Sequence, residues 1–261
     1  MKMESVIWDL KTDRILSFMK EGKRVDGRKL DELRNISIEH DISENADGSA
    51  KVKLGETEVL AGVKMILGEP YPDNPDEGTI SVGAELLPLA NPEFEVGPPR
   101  EGAIELARVV DRGIRESKAV DFKSLCITEG EKVWIAFIDT YVTNDDGNLF
   151  DAASIAALAA MNKAKFPKLE DGKIVKGEHG EKLKMSKQPL LSTFAKIGGK
   201  IVTDPTLAEE KAMDARFSCA TTDDKTLCAF QKGGSGSFKA SEIDECIETA
   251  FKNAKNVRKL V

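Results

Sequence analysis

The chain is short of several things, and each shortage excludes a class of protein. No apolar run approaches the roughly 20 residues that a membrane-spanning helix needs. The N-terminus is charged and amphipathic and lacks the apolar stretch of a cleavable leader, so a cytoplasmic protein with no membrane association is expected. The four cysteines, Cys126, Cys219, Cys228 and Cys246, form no Cys-x-x-Cys pair, and each sits inside an apolar pattern. They read as reduced core residues. His40 and His179 are too few and too far apart for a histidine metal site, and no metal or cofactor is expected. Positive charge is also short: 38 Lys and Arg against 45 Asp and Glu leave a net charge of −7. That argues against the whole chain being a nucleic-acid binder, while leaving room for a local basic patch or a more basic partner.

What is present is enough for a substantial core. The 261 residues are 41% hydrophobic and 32% charged, a soluble globular composition suited to one large domain or two packed halves. The organising stretch is 132–161. Lys132–Thr143 is apolar, β-branched and aromatic and reads as a buried strand. The turn Asn144–Asn148 reverses the chain, and the alanine-rich run Leu149–Met161 is apolar nearly all round, as a buried helix is. Strand, glycine turn and buried helix form a common geometry for holding a phosphate on backbone N–H groups.

The rest of the chain reads as two similar sheet-and-helix halves. Residues 2–21 predict an amphipathic helix with Val6, Ile7, Leu10, Ile15 and Met19 as its apolar stripe, stopped by Gly22. A charged turn, Arg24-Val-Asp-Gly-Arg28, follows. Strands are predicted over 35–42, 49–54, 58–67 and 79–89, with Gly48 and Gly55 marking hairpins of an antiparallel sheet. A strong helix spans 100–118. Residues 168–188 are polar and lysine-rich without a period and read as an exposed connection. Beyond it come strands at 190–197 and 200–203, a turn at 204–210 and a hairpin of 215–221 with 226–231. A final helix is capped by Ser241, with Ile243, Cys246, Ile247, Ala250, Phe251 and Ala254 on its inner face. The expected segments are therefore 1–34, an N-terminal helix and charged turn; 35–167, a first half; 168–188, the connection; and 189–261, a second half. Strands first and helices after, twice, give an α+β fold.

The helix at 100–118 is the most informative surface. Leu106, Val109, Val110, Gly113 and Ile114 would face the sheet, leaving Arg108, Arg112 and Arg115 together on the opposite side. Arginine suits phosphate because its planar fork donates two hydrogen bonds to one anion. The plainer reading pairs Glu105 with Arg108 and Asp111 with Arg115 as an ordinary solvated face, and Arg112 fits that reading least. The turn at 144–151 carries Asp145, Asp146 and Asp151 and no cation, so it looks capped by its own acids. It lacks the full pattern of a calcium loop. Asp204, Glu209, Glu210 and Asp214 form a second acidic cluster, which reads as a capped, exposed helical turn. Gly233–Gly236 reads as a flexible loop, since Lys and Ser/Thr are not at phosphate-loop spacing.

Three segments carry a resemblance. Arg24-Val-Asp-Gly-Arg28, the run from Pro98-Pro99-Arg100 through Arg108, Arg112 and Arg115 to Ser117, and Asp204-Pro-Thr-Leu-Ala-Glu-Glu210 together resemble the RNase PH family. Within it they are most similar to the non-catalytic ring subunit of the archaeal exosome. The resemblance covers nearly the whole chain and implies the RNase PH fold, two βαβα-like halves with ribosomal protein S5 domain 2-like topology. Catalytic members are phosphorolytic 3′→5′ exoribonucleases that bind phosphate with a hydroxyl residue and an arginine at the start of the central helix. The matching stretch here, 146–150, has neither, and the position of a catalytic acid is Ala208. The implied role is to structure the active site of a catalytic RNase PH-like partner in a hexameric ring of three heterodimers, together with RNA-binding cap subunits. Arg108, Arg112 and Arg115 are then expected to bind single-stranded RNA during phosphate-dependent degradation, with no catalytic residue in this chain. An active phosphorolytic nuclease is the alternative, and a freestanding RNA-binding module the third reading.

Overall fold

The computed structural model describes residues 3–261. Helix α1 (Met3–Lys20) leads into the charged turn and then into a first sheet. Its strands are β1 (Ile36–His40), β2 (Gly48–Leu54), β3 (Thr57–Gly68), β4 (Thr79–Leu86), the short β5 (Cys126–Thr128) and β6 (Lys132–Asn144). Helix α2 (Glu101–Ser117) comes between β4 and β5, and α3 (Leu149–Lys163) follows β6. The strand order is β1-β2-β3-β6-β4, with β5 on the end of β6. The hairpins expected at Gly48 and Gly55 form, but the sheet is mixed. β4 runs parallel to β6, because the loop and helix between them return the chain to the same end.

The hairpin β7 (Lys165–Glu170) and β8 (Lys173–Lys182) occupies most of the stretch expected to be an exposed connection. It is exposed, as expected, but ordered. Asp171 and Gly172 both take positive φ, the turn that right-twisted strands favour. The Asp-Gly pair was the local signal for it. The second sheet has the order β10-β9-β11-β12, with β9 (Leu190–Ile197), β10 (Lys200–Thr203), β11 (Ala215–Thr221) and β12 (Leu227–Gly234). The short α4 (Leu207–Ala212) precedes β11, and α5 (Ala240–Val257) closes the chain. β12 runs on through Gly233 and Gly234, so part of the expected glycine loop is strand. The cap of helix α5 is Lys239 and not Ser241; the Glu242 carboxylate accepts from the Lys239 N–H.

Helix α3 is buried because it lies between the sheets. It packs on β2, β3 and β6 on one side and on β9 on the other. Every residue from Phe150 to Met161 is buried, which only a small-residue helix permits at this closeness. One core runs from Val52, Val63 and Ile138 through Ala156 and Leu158 to Leu190 and Ala254, so both halves share it. Helix α2 buries Leu106, Val109, Val110, Gly113 and Ile114, as its periodicity requires. In α1, Ile15 and Met19 are buried, but Leu10 is 65% exposed and does not belong to the packed stripe. Val6 and Ile7 lie outside the described side chains. Cys219 and Cys246 are core residues, whereas Cys126 and Cys228 are only partly buried; all four are free thiols.

Candidate functional site

Two surfaces matter, the arginine face of α2 and the turn that starts α3, and a chain of contacts joins them. On α2, Asp111 and Arg115 form the expected i, i+4 pair at 2.8 Å. Arg115 also donates to the Ile80 carbonyl and lies over the Phe122 ring, so it is tied into the fold. The other expected pair is not made. Glu105 turns away from Arg108 and accepts from Arg216 Nη2 at 2.6 Å and from Gln231 Nε2 at 2.8 Å. Arg108 is exposed and, among the described residues, has no carboxylate partner. Arg112 donates Nη2 to the neutral Gln231 amide oxygen at 2.8 Å and keeps its full charge, and its Nε is buried with no partner. Uncompensated charge on this helix therefore rests on Arg108 and Arg112.

The turn before α3 is held by the distant acidic cluster. Asp145 accepts from Gly147 N–H at 3.0 Å and from Asn91 Nδ2 at 2.8 Å. The Asn148 N–H, at the head of α3, donates to Glu210 Oε1 at 3.0 Å. A carboxyl group from α4 thus sits on the N–H of Asn148, the N-cap residue of α3. Gly147 makes this closeness possible. Its φ is +85°, and a Cβ there would sit 2.3 Å from the Leu207 backbone nitrogen. Asn148, also at positive φ, donates its amide to Asp151 at 2.9 Å and to Asp204 at 2.7 Å.

The cluster at 204–210 is not the exposed turn expected. Thr206 and Glu209 do form a capping box on α4, but Asp204 and Glu209 are fully buried. Their partners come from the N-terminal segment. Arg24, itself buried, makes a two-pronged pair with Glu209 at 2.9 and 2.5 Å. Arg28 reaches Asp204 at 2.9 Å, and Arg34 grips it through Nη2 at 2.7 Å and Nε at 3.0 Å. Arg34 also donates to the Asp146 and Gly147 carbonyls. Nothing local reveals these arginines as partners. The only hint is that a run with Arg24, Arg28 and Arg34 needs as many acids somewhere.

A cleft of about 300 Å³ beside the turn is lined by Asn91, Glu105, Asp145, Glu210, Lys211 and Arg216. Both of its cations are already committed, Arg216 to Glu105 and Lys211 to Glu93 at 2.5 Å. Arg216 also lies over the Phe150 ring, 4.2 Å from its centre, linking α2 to the head of α3. Burial pushes the Glu210 carboxyl up to about 7, a rise to which Asp145 adds and which the Asn148 N–H and Arg216 oppose. Burial likewise pushes Asp151 up to about 7, against the hydrogen bonds from Asn148 and Thr193. Asp151 Oδ1 and Asn148 Oδ1 are both buried acceptors without a donor.

These two groups give a pH dependence of known sign. Each holds a proton in the folded chain that the unfolded chain releases above its ordinary carboxylate range. The unfolded state therefore binds fewer protons between about pH 4.5 and 7, and stability falls as pH rises through that window. The expected result is a higher unfolding free energy at pH 5.5 than at pH 7.5, with a slope of up to about 1.4 kcal/mol per pH unit for each group. Urea titrations of the wild type and of Glu210→Gln with Asp151→Asn check it, and an equal slope in both would contradict it.

Two packed α+β halves around a shared central helix, with an arginine face beside the head of that helix, define an RNase PH-type fold. Family models for the two domains of the 3′ exoribonuclease family match residues 32–167 and 187–253. The chain belongs to this family. It is 50% identical to the exosome complex component Rrp42 of Thermococcus gammatolerans, over 95% of this chain and 93% of that protein. It is 47% identical to the component of the same name from Pyrococcus horikoshii, over 100% and 97%. Among solved structures, a chain of the Archaeoglobus fulgidus exosome with RNA bound to the active site superposes with a TM-score of 0.92. That chain is 45% identical, with 97% of this chain and 98% of that one covered. No described helix is long and apolar enough to cross a membrane.

Proposed function

We propose that this chain is the non-catalytic RNase PH-like subunit of an archaeal exosome. In this reading it alternates with a catalytic RNase PH-like subunit in a hexameric ring of three heterodimers, beneath RNA-binding cap subunits, in the cytoplasm. Residues 35–167 and 189–261 supply its two family halves. It contributes Arg108 and Arg112 to the phosphates of single-stranded RNA, while Arg115, neutralised by Asp111, mainly anchors α2 to β4. Such contacts position RNA without reading its sequence.

The observation that carries this reading is the acid-lined head of α3, whose neighbouring cations are already paired. Its leading N–H is bonded to Glu210, and the two cations of the cleft are already paired. Among the described residues, no free cation remains in this cleft for inorganic phosphate, the co-substrate of phosphorolysis. The test is to incubate RNA and phosphate with the purified chain, with the catalytic-type subunit, and with the two co-purified, and to measure nucleoside diphosphate release. The chain by itself is expected to release none, and the complex to outperform the catalytic-type subunit. Sustained release by this chain without a partner would overturn the reading in favour of an active nuclease.

A further inference from the structure

The charge that α2 keeps is set from the other half of the chain. Gln231 stands on β12, the edge strand of the second sheet, which packs against α2. Its amide oxygen accepts from Arg112 Nη2 at 2.8 Å, and its amide nitrogen donates to Glu105 Oε1 at 2.8 Å. The amide can stand only one way round, because a guanidinium only donates and a carboxylate only accepts. The same Glu105 oxygen is bound by Arg216 Nη2 at 2.6 Å, so its charge is already met. Arg216 lies against Gly233, its register partner on β12, where a Cβ would meet Nη2 at 2.9 Å.

The row Arg216, Glu105, Gln231, Arg112 holds one corner of the Arg112 guanidinium and puts a neutral group there in place of an anion. Asp111 and Arg115 show the other arrangement on the same helix, a carboxylate that grips the fork at 2.8 and 3.1 Å and neutralises it. A carboxylate at position 231 would do the same to Arg112. The amide orients without neutralising, and the Glu105 charge behind it polarises its oxygen into a better acceptor. Arg112 is half-buried, and among the described residues it has no ion pair and no acceptor besides Gln231. A long side chain that must be ordered on binding loses affinity, whereas one held in place beforehand does not.

We propose that Gln231 is a positioning residue for RNA. It presents the Arg112 guanidinium to an RNA phosphate in one orientation and at full charge, with Glu105 and Arg216 fixing the amide from behind. This rests on the reading of Arg112 as a phosphate contact. The first half of the chain supplies the cation, and the second half aims it and keeps it charged. Gln231 needs no contact with RNA of its own, since it acts through Arg112.

The experiment titrates a single-stranded RNA oligonucleotide onto the complex of this chain with the catalytic-type subunit at several salt concentrations. The variants are Arg112→Gln, Gln231→Glu, Gln231→Met and the exchange of Glu105→Gln with Gln231→Glu, each checked for assembly by sizing and melting. Gln231→Glu is expected to bind about tenfold more weakly, as Arg112→Gln does, and to flatten the plot of log affinity against log salt by about 0.7. The exchange keeps the total charge of the cluster but moves the carboxylate from behind the amide onto Arg112, so it should behave like Gln231→Glu. Gln231→Met keeps the shape and the charge without the hold, and should lose about threefold with the slope unchanged. In phosphorolysis the losses should appear in KM for RNA and not in kcat or in KM for phosphate. Wild-type affinity and slope in Gln231→Glu and in the exchange, beside a loss in Arg112→Gln, would overturn this proposal and leave the RNA role of Arg112 standing. An equal loss in every Gln231 variant with no change of slope would also overturn it, because that marks a purely structural residue. Wild-type affinity in Arg112→Gln would overturn both.

Discussion

Asp204→Ala is expected to cost about 3–5 kcal/mol of folding free energy, the range for breaking a buried ion pair from one side. The Asp204 carboxylate is fully buried and accepts from Arg28, from the Arg34 backbone N–H, from the Arg34 guanidinium twice, and from Asn148. Burial by itself would raise its pKa, but the hydrogen bonds and charge of Arg34, with Asn148, hold it below the usual carboxylate range. A depressed folded pKa contributes stability above the unfolded value near 4 and loses it as pH falls below that. The contribution is therefore complete at neutral pH. Alanine would leave two arginines and an amide in a space built for an anion, and would release the N-terminal segment from α4 and from the head of α3. At 2–4 °C per kcal/mol for a chain of this size, the melting temperature should fall by about 10 °C. A loss under about 1 kcal/mol would show that water or Glu209 takes over the arginines.

The second large effect concerns RNA. Arg108→Gln with Arg112→Gln, in the assembled complex, should weaken RNA binding by roughly 100-fold, since hydrogen bonds to charged groups are each worth about 1.5–3 kcal/mol. Two lost phosphate contacts should also flatten the plot of log affinity against log salt by about 1.4, at roughly 0.7 per contact on a single strand. The loss should be similar for RNAs of different sequence. Arg115→Gln serves as the contrast, because Asp111 already neutralises that guanidinium and its fork is spent on Asp111 and Ile80. It should change RNA affinity by less than about threefold. Equal losses for Arg115→Gln and the double variant would mean that the helix acts through its overall field. An unchanged salt slope in the double variant would remove Arg108 and Arg112 from the RNA path.

Local chemistry made much of the framework readable in advance. Hairpin glycines marked β2 and β3, an apolar β-branched and aromatic run marked β6, and a period of 3.6 marked the inner face of α2. The alanine content of 149–161 declared a helix buried on all sides. These are properties of residues a few positions apart, and side-chain period and backbone propensity settle them without reference to the rest of the chain. The lapses among local features are instructive as well. The β7–β8 turn was signalled by Asp171-Gly172 but obscured by the lysines around it. The parallel pairing of β4 with β6 depends on how a long excursion returns, which no short window contains.

The sequence by itself determined that this chain is an acidic α+β protein with an arginine helix, a strand–turn–helix centre and a turn with no arginine or hydroxyl at 146–150. The tertiary structure decided which charges remain available. It gave Glu105 to Arg216 and Gln231, leaving Arg108 uncompensated. It drew Glu210 onto the head of α3, turning a turn that merely lacked a cation into one whose N-cap N–H already has a carboxyl partner. It buried Asp204 and Glu209 beneath Arg24, Arg28 and Arg34 from the other end of the chain. The physical reason is range. Propensity and periodicity act over one or two turns of backbone, whereas a charge pairs with whatever folding brings within about 4 Å, however many residues lie between.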